Sequence, residues 1–110
     1  MIDQGAITNA QNDDRFEDIA WLTFYLCLPG GCTRETFPEL AAMGVFNLNH
    51  PESGFMYAKL EVSLNRKEIE AKVSAVMQIA ERYDLEVDCV DLDSDPVPTK
   101  SKFYELWKMP

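Results

Sequence analysis

The residues from Ile19 to Leu28, IAWLTFYLCL, carry no charge and stop at Pro29-Gly30-Gly31. An apolar, aromatic-rich run of that length with turn residues at its end is the pattern of a central strand covered on both faces. The strand's two faces differ in kind. By alternation, Leu22, Phe24, Leu26 and Leu28 point one way, and Trp21, Thr23, Tyr25 and Cys27 the other.

The rest of the chain supplies partners for that strand. A short helix is expected from Thr33 or Thr36 to Met43, stopped by Gly44, with Pro38 tolerated in its first turn if Thr36 is the cap. Val45 to Asn49 alternates as a short edge strand, Asn49 to Gly54 forms a turn, and Phe55 to Leu64 is an amphipathic strand. Its core face carries Met56, Ala58, Leu60, Val62 and Leu64, and the other face Phe55, Tyr57, Lys59, Glu61 and Ser63. Asn65 then caps a helix in which Ile69, Val73, Val76, Met77 and Ala80 recur at helical spacing up to Tyr83.

The last expected strand, Glu86 to about Asp93, is studded with acids. Val87 and Cys89 should face inward, with Glu86 and Asp88 outward, but continued alternation would bury Asp91 and Asp93. Burying unpaired carboxylates is costly, so a bulge or the end of pairing is expected near Cys89-Val90, with Asp91, Asp93 and Asp95 in a bulged or departing segment.

The order β-α-β-β-α-β predicts an α+β fold of the ferredoxin-like kind, an antiparallel sheet with both helices on one face. Residues 1–18 read as a flexible N-terminal arm or a short helix ending near Phe16, residues 19–95 as the single domain, and residues 96–110 as a tail. The plan leaves the other sheet face open, with Trp21, Tyr25, Phe55 and Tyr57 flanked by Lys59, Glu61, Glu86 and Asp88. An aromatic patch of that kind calls for a cover. RNA bases would need basic surroundings, which are lacking. The chain's own tail could serve as a short helix with Phe103, Leu106 and Trp107 on one face, and so could a protein partner or a second copy forming a homodimer.

Charge narrows the partners. A chain of 110 residues that is 46% hydrophobic suits one domain, and a net charge of −9 with a pI near 4.4 disfavours nucleic acid and anionic membranes. With neither a basic leader nor a run approaching a membrane span, the expected location is cytoplasmic. Cys27, Cys32 and Cys89 match neither a redox pair nor a zinc site and are expected to be reduced thiols, Cys89 in the core.

Candidate catalytic residues are few. His50 sits in a His-Pro turn without a nucleophile at an interpretable spacing, and Asp91-x-Asp93-x-Asp95 lacks the glycine and distal glutamate of a calcium loop. Pro29-Gly30-Gly31 lacks the Gly-Lys-Ser/Thr of a phosphate loop. No cofactor or metal is expected, and the chain reads as non-enzymatic.

The stretch Ala71 to Asp88, AKVSAVMQIAERYDLEVD, resembles the closing helix and strand of the ribonuclease E inhibitor family, the regulator of ribonuclease activity B group. There a helix ending in Ala-Glu-Lys/Arg-Tyr-Asp runs into a Glu-x-Asp strand. Phe24-Tyr25, the helix ending at Gly44 and the strand from Phe55 to Leu64 are compatible with that group's order of elements. Cys89-Val90 stand where the family often has an aromatic residue and a glycine, and residues 1–18 and 96–110 find no counterpart. The resemblance implies a small acidic protein that inhibits or regulates a basic, nucleic-acid-handling protein such as a ribonuclease. The partner-binding residues would be Trp21, Tyr25, Phe55, Tyr57, Glu86, Asp88, Asp91 and Asp93. An immunity, antitoxin-like or phage-encoded inhibitor shares these features, and a small enzyme or metal-binding domain using Asp91, Asp93 and His50 is the remaining reading.

Overall fold

The computed structural model describes residues 2–27, 42, 47–49, 55–83, 85–95 and 103–109. Along the chain these form α1 (Gln4–Gln11), β1 (Ile19–Cys27), β2 (Asn47–Asn49), β3 (Phe55–Ser63), α2 (Arg66–Arg82), β4 (Glu86–Asp93) and β5 (Phe103–Lys108). The protein is α+β, with a sheet ordered β2-β3-β1-β4-β5 in which every neighbouring pair is antiparallel. The apolar run beginning at Ile19 is central, paired on one side with β3 and on the other with β4. Apart from a helical Ala42, the expected first helix lies outside the described residues, as do the turns at 28–31 and 50–54.

One sheet face carries the core. Leu22, Phe24 and Leu26 of β1 meet Leu60 and Ala58 of β3 and Val87, Val90 and Leu92 of β4, all beneath Ile69, Val73, Val76 and Ile79 of α2. α2 starts where Asn65, in extended backbone, accepts from the amides of Lys67 and Glu68 at 2.9 and 3.3 Å. That bond satisfies donors the first helical turn would otherwise orphan.

Of the two readings of the N-terminal segment, the structure has the short helix and not the flexible arm, although the helix ends at Gln11 and not near Phe16. Asp3 caps α1 by accepting from the Gly5 amide, and Ala6, Ile7 and Ala10 are buried in the same core as α2. Gln4 also donates to Glu70 of α2 at 2.8 Å, so α1 and α2 lie on the same side of the sheet. The buried stripe contains two alanines and a single large residue. Such a stripe gives a weak hydrophobic signal, although small residues allow a helix to pack closely.

The tail also differs from expectation. Residues 103–108 are a strand on the outer edge of β4, not a helix across the sheet. The register slips between Val90 and Asp91, whose partners are Trp107 and Glu105, so Leu106 is the extra residue of a bulge. Its carbonyl accepts from the Asp3 amide at 2.7 Å, which ties α1 to this edge, and the rings of Phe16 and Tyr104 stack 5.7 Å apart beside it.

Candidate functional site

The second sheet face bears no described helix, yet its centre is dry. In register, Thr23 of β1 lies between Lys59 of β3 and Asp91 of β4, Trp21 between Glu61 and Asp93, and Tyr25 between Tyr57 and Cys89. Thr23, Lys59, Asp93 and Asp91 retain only 2%, 5%, 6% and 8% of their exposure. A lysine and two aspartates so placed must find partners, since the effective cost of burying an ion is several kcal/mol.

They find them in one another. Lys59 Nζ donates to Thr23 Oγ1 at 2.7 Å and approaches Asp93 Oδ2 at 3.5 Å, while the Thr23 hydroxyl donates to the same carboxylate oxygen. Thr23 thus links cation to anion, using both its donor and an acceptor lone pair. Next to this triad, Tyr25 donates its hydroxyl to Asp91. Burial, and then the charge of Asp93, push the Asp91 carboxyl up to about 6, against the opposing effects of Tyr25 and Lys59. Burial and the Asp91 charge push the Tyr25 phenol upward as well. Cys89 is pushed up to about 11 by burial and by Asp91 and Asp88, so its thiol is protonated and weakly nucleophilic at neutral pH.

The rim is acidic. Glu61, Glu86 and Glu105 are exposed and pair in register with Trp21, Cys27 and Asp91, and Lys108 opposite Cys89 is the exposed cation among them. Phe103, opposite Asp93, is 55% exposed.

Of the residues singled out in the sequence, Trp21 and Tyr25 lie half-buried on this face. Tyr57 and Phe55 are opposite Tyr25 and Cys27 in backbone register. Glu86 is exposed at the start of β4. Asp88 is exposed too, but as the extra residue of a bulge, because Leu26 pairs with Val87 and Tyr25 with Cys89. The irregularity therefore falls one residue before its expected place. It puts Val90 and Leu92 in the core and moves Cys89, expected there, to the second face. Asp91 and Asp93 are not in a departing segment; pairing continues through both, and both are buried. The Thr23 and Tyr25 hydroxyls of β1 and the Lys59 ammonium of β3 make that burial tolerable. Thr23 and Lys59 form the centre that sequence reasoning missed, and their signal was a polar residue in the middle of each of two adjacent apolar strands. His50 and Cys32 lie outside the described residues.

A second polar cluster joins the turn after α1 to β5. Asp13 accepts from Arg15 Nε and Nη2, both at 3.1 Å, from the Arg15 amide at 3.0 Å and from the Tyr104 hydroxyl at 2.8 Å. These bonds, those of Arg15 foremost, hold its carboxyl well below the usual range. Among the described residues no group of three or more His, Cys, Asp or Glu could hold a metal ion, and no helix is long and apolar enough to cross a membrane.

No protein-family model, curated protein or solved structure matches this chain.

Proposed function

We propose that this is a small, non-enzymatic cytoplasmic regulator that binds a basic protein through the second face of its sheet, in the manner of the ribonuclease E inhibitors. The carrying observation is the charge of that face. Lys59 is engaged with Asp93, which leaves Glu61, Glu86, Glu105 and Asp91 around the half-buried rings of Trp21 and Tyr25, with Lys108 as the only other cation among the residues described on that face. Acids around aromatic anchors complement an Arg/Lys-rich surface, steer its approach and repel phosphate. The buried Asp91 and Asp93 would set the potential of the face, and the exposed glutamates would make the contacts. The ferredoxin-like plan is part of this proposal. It is supported by the adjacency β2-β3-β1-β4, with β5 as an addition at the β4 edge.

The test is capture of a basic nuclease such as ribonuclease E by the immobilised chain at low and high salt. Glu61→Gln with Glu105→Gln should weaken capture at low salt, and added salt should weaken the wild type toward the same level. Capture indifferent to both would reject the acidic face as the recognition surface.

A second reading is favoured by Asp91, whose carboxyl titrates near neutrality beside a phenol and an ammonium group, as general bases often do. In that case Asp91→Asn would abolish turnover of a small substrate while leaving capture of a basic protein intact.

A further inference from the structure

Where the end of α2 meets the beginning of β4 and the end of β5, a groove of about 370 Å³ opens on the helix-bearing side of the sheet. Its floor is apolar: Leu85 is 7% exposed, and Met77 and Trp107 are partly buried against the core. Met109 forms a lip. Its amide donates to the Asp88 carbonyl at 2.9 Å, so its backbone is held to β4 while 46% of the residue stays exposed. A large apolar side chain presented from ordered backbone has little conformational entropy left to lose on binding. The two methionines add an adaptable, polarisable wall, and the volume lies within the range of small-ligand sites.

The charge at the groove selects its occupant. Among the described residues, Glu81 and Glu86 are its charged lining, and both are exposed, in a chain of net charge −9. An anionic lipid or nucleic acid would be repelled there, whereas a cation flanking an apolar group would be met at both ends. We infer that this groove is a second binding site, sharing only Glu86 with the acidic rim of the sheet face, for a short basic peptide segment of a partner protein. A leucine- or phenylalanine-sized side chain enters between Trp107 and Met109, and flanking lysine or arginine residues pair with Glu81 and Glu86. This is the anchor-and-rim arrangement of peptide recognition, on a surface that the described elements leave to solvent.

The experiment uses the full chain and a fluorescently labelled short peptide of leucines flanked by lysines, followed by anisotropy at low salt. Saturable binding is expected, with the Trp107 indole NMR signal shifting during the titration. Met109→Glu and Glu81→Lys should each weaken binding about tenfold. Glu61→Lys, on the other face, should change it by less than about twofold, and a glutamate-flanked peptide should not bind. Both groove positions are exposed, so circular dichroism should show the variants folded. The inference is overturned by any of three results: no saturable binding, an unmoved Trp107 signal, or Glu61→Lys weakening binding as much as Glu81→Lys. The last would reduce the effect to net charge, and since neither Met109 nor Glu81 lies on the sheet face, failure here leaves the proposed regulator function standing.

Discussion

The two faces of β1 are both dry at their centres and chemically opposite. Toward the helices, Leu22, Phe24 and Leu26 are fully buried among aliphatic side chains. One residue away along the same strand, Thr23 is 2% exposed and sits within a cluster of Lys59, Asp91 and Asp93. Burial on the first face is favourable in itself, at about 25 cal/mol per Å² of apolar surface. Burial on the second is tolerable only because each charge has a partner, and a well-packed apolar replacement would often be at least as stable. The contrast suggests that the helix-bearing face maintains the fold and that the second face holds groups whose value lies in what they bind.

The largest effects should come from breaking each face at its centre. Phe24→Ala empties a fully buried site and is expected to cost about 4 kcal/mol in urea unfolding, independent of pH. Lys59→Ala should cost about 3 to 4 kcal/mol, because it strands buried carboxylates without their cation. That loss should be greater at pH 8 than at pH 5, since Lys59 helps hold the Asp91 proton off. A cost for Lys59→Ala below about 1 kcal/mol would mean that the second face behaves as ordinary surface.

Asp91→Asn should have the opposite sign. The folded-state carboxyl sits at about 6 and the unfolded one near 3.8, so the folded chain binds the proton more tightly. Stability is then full below about pH 4 and falls as pH rises through 6. By pH 8 the charged Asp91 costs about 3 kcal/mol, which asparagine removes. The variant should melt higher than the wild type at pH 8 and match it near pH 4. A lower melting temperature at pH 8 would show that the Tyr25 bond to the carboxylate outweighs its desolvation.

The same contrast accounts for what could be read from residues alone. The Ile19 run, the alternation of β3 and the Asn65 cap are local signals, and each corresponds to an element in place: β1 central, β3 beside it, α2 starting at Arg66. The polar centre is non-local. Nothing within β4 announces that Asp91 and Asp93 can be buried, because their partners arrive through the registers of β1 and β3. Bulges hid the rest. The extra Leu106 brings Leu106 and Trp107 together against the core, two consecutive residues that fit a helical pattern better than strict strand alternation, while Phe103 lies on the opposite face. The extra Asp88 likewise moves Cys89 out of the core phase. In α1, two of the three buried residues are alanines, which contribute little to any hydrophobic pattern.

A smaller test confines the perturbation to the helix-bearing face. Asn65→Ala removes the acceptor for the Lys67 and Glu68 amides and should cost about 1 kcal/mol. The loss should be equal at pH 5 and pH 8, and amide exchange should speed up first in the opening turn of α2. A loss that varies with pH would mean that the two faces are coupled through β3, whose strand leads into that cap.

The smallest effect should come from the rim of the second face. Glu105 is exposed and lies opposite Asp91, and its charge is one of the influences raising that carboxyl. Glu105→Gln should leave the unfolding midpoint at pH 8 almost unchanged, because an exposed charge contributes only a few tenths of a kcal/mol. Carboxyl NMR should nevertheless show Asp91 titrating a few tenths of a pH unit lower, and added salt should shrink that difference by screening. A downward shift without a stability change would show that the rim sets the potential of the buried centre while the fold is indifferent to it. An unmoved Asp91 would mean that burial and Asp93 alone hold its carboxyl up, leaving the rim glutamates no part in the site beyond direct contact with a partner.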